Sequence, residues 1–153
     1  MRNNFAEEIY DIAVETFELM CFMFPLDEDE VDDATCLDQE DAVSAVATFD
    51  GAAEGAMVLR VSPELVSAIA LNMLGSDDAT IEQKQGALCE IVNIICGNIA
   101  PFFTTDKDIC YIRPPRIMGP GEDPDVTFGM GKKSEKLSVY LDEGLAEITV
   151  YYA

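Results

Sequence analysis

Residues 80–101 read T-I-E-Q-K-Q-G-A-L-C-E-I-V-N-I-I-C-G-N-I-A-P, and this stretch predicts a long amphipathic helix on which the rest of the fold depends. Thr80 and Gln83 have the spacing of a capping box, in which each side chain accepts a hydrogen bond from the other residue's backbone N–H. Pro101 lacks the N–H that a continuing helix needs. The helix is therefore expected to end there, or to continue with a kink through Phe103.

The two sides of this helix differ in chemistry. At about 100° per residue, its large apolar residues share a broad stripe that can face a core: Ile81, Leu88, Ile91, Val92, Ile95 and Ile99. The opposite side carries Gly86, Glu90, Asn93 and Gly97. A glycine inside a helix costs roughly 1 kcal/mol relative to alanine. Either this side is merely solvated and the glycines let a neighbour pack closely, or the acid, the amide and the bare backbone form a site.

The segment E-I-V-N-I-I-C-G-N-I, residues 90–99, resembles the E-x-x-N helix of the CheC/CheX family, bacterial chemotaxis phosphatases that act on phosphorylated response regulators. Glu90 and Asn93 match the acid and the amide of that motif. Pro114 or Pro115, inside R-P-P-R-I-M-G, matches the proline that follows some twenty residues later. The family has Asp or Ser where this chain has Gly86, so the resemblance implies an intact carboxylate–amide pair without an auxiliary polar group.

The resemblance also implies a role for each matched residue. Asn93 would orient the attacking water, because an amide both accepts and donates hydrogen bonds. Glu90 would pair with a lysine of the partner. Gly86, Gly97 and Pro114 would border the surface on which the partner docks. The chain itself is expected to bind no cofactor or metal, and the Mg²⁺ of the reaction is expected in the partner, a phosphorylated CheY-like response regulator.

The E-x-x-N motif occurs once, as in the CheX type, because E-T-F-E in the first predicted helix lacks the asparagine. The expected function is dephosphorylation of the aspartyl phosphate of a response regulator, in chemotaxis or other two-component signalling. Two alternatives stay open. One is a non-catalytic CheX-like module that binds a regulator or a signalling complex, which Gly86 and the acidic charge favour. The other is a small-molecule-binding dimer whose polar helix side is only solvated.

Charge and composition exclude several classes of function. The 153 residues, taken as one domain spanning 1–153, carry a net charge of −21, so the basic surface that nucleic acid or an anionic membrane needs is missing. No apolar run is long enough to span a membrane, and the first residues do not form a signal peptide. We therefore expect a soluble, cytoplasmic protein.

Metal-binding and nucleophilic sites have little support in the sequence. There is no histidine, and the five cysteines form no C-x-x-C pair, so zinc and activated-thiol chemistry are not expected. Cys89 and Cys96 are expected to flank the polar helix side with partial exposure. The acidic residues 27–41 do not match a calcium-binding loop at its diagnostic positions, which predicts a solvated loop.

The remaining pattern predicts an α/β (α+β) fold, a mostly antiparallel mixed sheet packed against long helices, and the resemblance implies the same. Helices are expected at 3–22 and after Ser62–Pro63, ending at Gly75. The predicted strands share alternating or β-branched patterns: 42–50, 55–61, 109–114, 126–130, 136–141 and 145–152. Gly144 is expected in a three-residue hairpin loop. The apolar residues 22–24 and the open sheet edge predict a homodimer.

Overall fold

Single helices, a pair of helices and β-hairpins follow one another along the chain in an α+β arrangement. The structure is a computed structural model that describes residues 4–27 and 41–153. Its elements are α1 Phe5–Cys21, β1 Val43–Gly51, β2 Gly55–Val61, α2 Pro63–Leu74, α3 Ile81–Ile99, β3 Cys110–Ile112, β4 Arg116–Ile117, α4 Pro124–Phe128, β5 Lys133–Leu141 and β6 Gly144–Tyr152. The solvated acidic loop was expected at residues 27–41, of which 28–40 lie outside the described part of the chain.

The strands form one antiparallel sheet in the order β3-β1-β2-β6-β5, and β4 also pairs with β1. The predicted first hairpin is confirmed, with Val43 opposite Val61 and Phe49 opposite Gly55. Gly55 is required at its position because a Cβ there would collide with the carbonyl oxygen of Tyr151 on β6. The predicted fold class is therefore confirmed.

Three helices cover one face of the sheet. Their apolar sides meet the inward residues of β1, β2, β3, β5 and β6 in one core. A smaller apolar cluster on the other face of the sheet includes Val46, Val58 and Tyr151, so β2 is buried at nearly every position. α1 is capped by Asn4, whose side chain accepts from the Ala6 backbone N–H at 3.0 Å. α2 begins after Ser62 with Pro63 at its first position and ends at Gly75, which has a left-handed φ of 74°. Both helix boundaries follow from the capping rules.

α3 lies on the sheet with its apolar stripe inward. Leu88, Ile91, Val92, Ile95 and Ile99 are completely buried. Ile81, which we also expected in this stripe, is 73% exposed, so that part of the prediction is wrong. Ile81 is the first residue of the helix, and helical side chains point back towards the N-terminus. Its side chain therefore extends past the end of the packed surface.

The second half of the chain differs from its prediction in three places. Residues 126–130 were expected to be a strand, but they overlap α4, which begins after Asp123 with Pro124 at its first position. The Asp-Pro pair is a helix-start signal that overrides the short apolar run. The last hairpin has a two-residue loop, because Gly144 already pairs with Leu141. The strand expected at 109–114 is limited to β3, and β4 was not foreseen.

None of the helices in the described ranges is both long and apolar enough to cross a membrane.

Candidate functional site

The outward side of α3 is fixed by its cap and by its buried side. The capping box is formed: the Gln83 backbone N–H donates to Thr80 Oγ1 at 3.1 Å, and the Thr80 N–H donates to Gln83 Oε1 at 2.8 Å. A 3-10 turn, Ala100–Phe102, continues the helix past Pro101, as the kinked extension predicted. Because the apolar stripe of α3 is buried, the opposite side of the helix, which we call the polar row (Gly86, Glu90, Asn93 and Gly97), has to face outward.

That polar row is exposed along its whole length. Gly86, Glu90, Asn93 and Gly97 all lie at the surface. Within the described ranges, the side chains of Glu90 and Asn93 have no hydrogen-bond or ion-pair partner. Surface polar groups that make no hydrogen bond or ion pair within their own chain contribute little to the stability of the fold. Both groups are thus free to bind something else.

A shallow cavity of about 350 Å³ lies between α3 and the segment that follows β3. Its lining joins residues far apart in sequence: Gly86, Cys89, Glu90, Asn93, Ile112, Arg113, Pro114 and Pro115. Four of the five predicted site residues are therefore brought together. Gly97 shares their side of the helix but lies outside this lining. Both candidate prolines line the cavity.

The prolines reach α3 because the strand next to β1 is interrupted there. Ile112 pairs with Phe49, and Arg116 pairs with Val46. Between these pairs the incoming segment has three residues, 113–115, whereas β1 has two, 47–48. Proline has no N–H for the sheet ladder, so the extra residue is accommodated at Pro114 and Pro115 as a bulge. The bulge brings this segment to the wall of the cavity.

Arg113 is a cavity residue that the sequence reasoning missed. Its Nε and Nη2 donate to Asp50 Oδ2 at 3.1 and 2.8 Å, and its side chain is 64% exposed. Its backbone N–H donates to the Thr48 carbonyl at 2.8 Å. Among the described residues that line this cavity, it alone is positively charged, but the Asp50 carboxylate that holds its guanidinium lines a different cavity, which Arg113 also borders. The sequence signal was an arginine directly before Pro-Pro, but its position depends on strand pairing.

The two helix glycines do not serve packing inside the described chain. A Cβ built on Gly86 or on Gly97 would meet nothing within 4 Å. The explanation that a neighbouring element packs closely against them is therefore excluded for the described residues. Each glycine lowers helix stability by about 1 kcal/mol, and no contact among the described residues explains why glycine stands at these two positions.

The thiols beside the site are not reactive groups. Cys89 is half-buried, as expected, and burial raises the pKa of its thiol. Cys96 is only 1% exposed, so the expectation that it is partly exposed is wrong. Burial, and to a smaller extent the nearby Cys110, raises the pKa of the Cys96 thiol to about 12. The stripe of α3 turns Cys96 inward. A raised pKa disfavours the thiolate, which is the nucleophilic form, at both positions.

A larger cavity, about 640 Å³, lies on the opposite face of the sheet from α3. Its acids are already engaged: Glu122 pairs with Arg116 at 2.8 Å, and Asp125 accepts from the Tyr151 hydroxyl at 2.6 Å. Among the described residues, no group of three or more His, Cys, Asp or Glu is placed to hold a metal ion. The smaller cavity beside α3 carries the free polar pair, so it is the better candidate site.

Comparison with known proteins gives a family match and a set of similar structures. The model of the family described as chemotaxis phosphatase CheX matches residues 43–135. The chain resembles a chain of the CheX–CheY–BeF₃–Mg²⁺ complex from Borrelia burgdorferi, with 20% identity, a TM-score of 0.72 and 99% of each chain covered. It also resembles a CheX from Desulfovibrio desulfuricans, with 17% identity, a TM-score of 0.73 and coverage of 97% and 99%.

A CheX from Vibrio vulnificus is similar as well, with 16% identity, a TM-score of 0.74 and coverage of 100% and 99%. At these identities the structural likeness establishes the fold alone. No curated protein sequence matches the chain.

Proposed function

The chain belongs to the CheX family of chemotaxis phosphatases, and from this premise we propose that it hydrolyses the aspartyl phosphate of a CheY-like response regulator. One observation carries the proposal. Glu90 and Asn93 lie one turn apart, exposed and unpaired within the described chain, in a cavity that Pro114 also lines. The acid, amide and proline of the family pattern thus meet in space. The proposed partner acts in the cytoplasm, so the same location is proposed for this protein.

Asn93 is proposed to hold the attacking water. The water oxygen attacks phosphorus, the bond between phosphorus and the aspartyl oxygen breaks, and its electron pair stays on the regulator's carboxylate. The proton that the water loses ends on the released phosphate. Such a reaction depends mainly on positioning and on charge stabilisation. The Asn93 carbonyl can accept from the water while its NH₂ donates to a neighbouring oxygen.

Glu90 is proposed to fix the register of docking. A carboxylate pairs well with a lysine ammonium through a charge-assisted hydrogen bond, and a CheY-like regulator is proposed to supply that lysine together with Mg²⁺. Glu90 precedes Asn93 by three residues, so both side chains point to the same side of α3. Anchoring one residue therefore orients the other.

A second candidate function is a CheX-like module that binds a regulator without hydrolysing its phosphate. The specific observation in its favour is Gly86, which leaves open space where the family pattern has Asp or Ser. The two functions share the docking surface and differ in whether Asn93 accelerates hydrolysis. Kinetics therefore distinguish them where binding alone does not.

The decisive experiment is single-turnover dephosphorylation of a Mg²⁺-loaded phosphorylated regulator from the same organism, paired with a binding titration. Asn93→Ala should lower the rate about a hundredfold and leave binding nearly unchanged, because the lost contact forms mainly in the transition state. Glu90→Ala should weaken both. Asn98→Ala is the matched control, since this exposed amide of the same helix bonds, among the described residues, only to the Ile94 carbonyl, at 3.0 Å.

The control should keep the wild-type rate. If Asn93→Ala also keeps the wild-type rate while the regulator still binds, the non-catalytic module is the correct function. A wild-type protein that neither binds nor dephosphorylates any CheY-like regulator of the organism would refute both.

We further propose a symmetric homodimer. Phe22 and Phe24 are 73% and 63% exposed, although Met23 between them is buried in the core. The sheet ends in β5, whose last residues are covered by Leu26, which donates to the Tyr140 carbonyl at 2.8 Å. Exposed aromatic rings and an open strand edge favour association. Sedimentation of a monomer well above micromolar concentration would refute the dimer, and Phe22→Ser with Phe24→Ser should weaken it.

A further inference from the structure

We propose, on the premise of the proposed function, that a groove between α1 and α3 is a second docking site for the regulator. The groove receives an apolar side chain of the regulator that is flanked by lysine or arginine. Its volume is about 360 Å³. Its apolar lining comes from both helices and from the 3-10 turn after α3: Ile12, Leu19, Met20, Ile94 and Phe102.

The groove lies beside the polar row, on the side away from the prolines. At about 100° per residue, Cys89 and Ile94 fall on opposite sides of Glu90 around the axis of α3. Cys89 lines the cavity that contains Pro114, whereas Ile94 lines the groove. An ordinary interface buries about 800 Å² on each partner, far more than a row of four residues with two glycines offers. A regulator that reaches Glu90 therefore extends onto the surfaces beside the row.

The direction of α1 brings the most exposed apolar residue of the groove towards Glu90. The Phe5 ring, at the start of α1, contacts the rings of Phe102 and Phe103, with centroid distances of 5.8 and 5.5 Å. From there α1 packs back along α3 in the opposite direction. Leu19 follows Phe5 by about four turns, so it lies towards the Glu90 end of α3. Its side chain is 70% exposed.

Thr16, the buried polar residue of the groove, is already satisfied by its own helix. It is 4% exposed, and its hydroxyl donates to the Ile12 carbonyl at 2.8 Å. Water that lies against this part of the groove gains little from Thr16. Its replacement by an apolar side chain is therefore favourable, because weakly held water is displaced and apolar surface is buried.

Charge decides what surrounds that apolar side chain. The sequence of α1 contains five acids and no lysine or arginine: Glu7, Glu8, Asp11, Glu15 and Glu18. Glu15 lines the groove itself, and Glu18 directly precedes Leu19. A cationic partner surface is favoured beside such a helix. A second copy of this chain is disfavoured, since a two-fold axis through the groove would bring two acidic helices together.

Single exposed leucines are common and need no function, so the test requires a matched residue. Met130 is 78% exposed and lines a cavity with Asp50 and Arg113, away from α3. Glutamine in place of Leu19 or of Met130 replaces an exposed apolar side chain by a polar one that suits a helix. The two variants differ in whether the changed side chain borders the groove.

The test uses a Mg²⁺-loaded CheY-like regulator of the same organism, with beryllofluoride as the phosphoryl mimic, and measures its dissociation constant. Leu19→Gln should weaken binding about tenfold, the effect of losing part of one leucine contact. The loss should not appear in the single-turnover rate at saturation, because Leu19 touches no reacting atom. Met130→Gln should bind as the wild type does, and Leu19→Met should keep most of the affinity.

Two further measurements accompany the titration. Glu15→Gln should weaken binding about twofold to threefold at low salt and should make binding less dependent on salt. Thermal unfolding should give the wild-type midpoint for every variant, since the changed side chains are exposed. A loss of binding then reports a lost contact and not a lost fold.

The outcomes separate this inference from the function on which it rests. If Leu19→Gln binds with wild-type affinity while Glu90→Ala weakens binding, the phosphatase function stands and the groove is not a docking site. If Leu19→Gln changes sedimentation from dimer to monomer and leaves regulator binding intact, a second copy occupies the groove, which also refutes the inference. Equal losses in Leu19→Gln and Met130→Gln would refute it too. If the wild-type protein neither binds nor dephosphorylates the regulator, the proposed function fails first and the inference fails with it.

Discussion

The two sides of α3 differ in what their residues contact: the inner side packs in the core, and the outer side is exposed to solvent. On the inner side, Leu88, Val92 and Ile95 are fully buried against the sheet and the neighbouring helices. On the outer side, Glu90 and Asn93 are exposed, without partners in the described residues. A Cβ on Gly97 would touch nothing. The inner side accounts for the stability of the helix, so the outer side is free to vary with function.

The largest effect is expected on the inner side. Ile95→Ala should lower the free energy of unfolding by about 3 kcal/mol, because it removes buried methylene groups and leaves a cavity that the core cannot fully close. Urea unfolding followed by circular dichroism measures this. The folded fraction should dock the regulator as the wild type does. A loss below about 1 kcal/mol would show that the inner side does not hold the helix.

An intermediate effect is expected at Gly97, where stability and docking should change in opposite directions. Gly97→Leu should raise the free energy of unfolding by up to about 1 kcal/mol, since leucine is a better helix former and meets no neighbour. The same side chain should weaken docking of the phosphorylated regulator about tenfold by holding the helix away from it. Thermal unfolding and a binding titration measure the two quantities.

Gly97→Ala is the control for this variant. It should give a similar gain in stability with a much smaller loss in docking, because a single methyl group projects less far. Unchanged docking in Gly97→Leu would place the partner surface away from this turn of α3.

The smallest effect is expected at Ile81, the member of the predicted stripe that proved exposed. Ile81→Gln should change the free energy of unfolding by less than about 0.5 kcal/mol, as surface substitutions usually do. The side chain is 73% exposed, so little apolar burial is lost. The same urea titration used for Ile95→Ala measures it. A loss near 2 kcal/mol would show that Ile81 is covered, for example at a subunit interface.

Sequence patterns worked best where the deciding interactions are local. The ends of α2 follow from Ser62, Pro63 and Gly75, and the first hairpin from its alternating residues and turn. They failed where two local signals compete. At 124–128 the Asp-Pro start of a helix outweighs a short apolar run, and at Gly144 the sheet register shortens the loop to two residues. In a short element, few residues contribute to each local signal, so the sequence pattern does not show which of two competing signals will prevail.

The sequence by itself determined the helix that carries the candidate site. The capping box at Thr80, the kinked end near Pro101 and the placement of Glu90 and Asn93 opposite the apolar stripe all depend on residues within one or two turns. For the same reason these features were readable from spacing alone. The pairing of the acid with the amide needed no knowledge of the fold.

Only the tertiary structure decided what faces that helix across the cavity. Ile112 and the two prolines reach α3 because β3 and β4 pair with β1 in registers that leave an extra residue between them. The paired residues Phe49 and Ile112 are more than sixty residues apart in the sequence. Register between distant segments depends on how the whole sheet packs, and no local pattern near Arg113 encodes it.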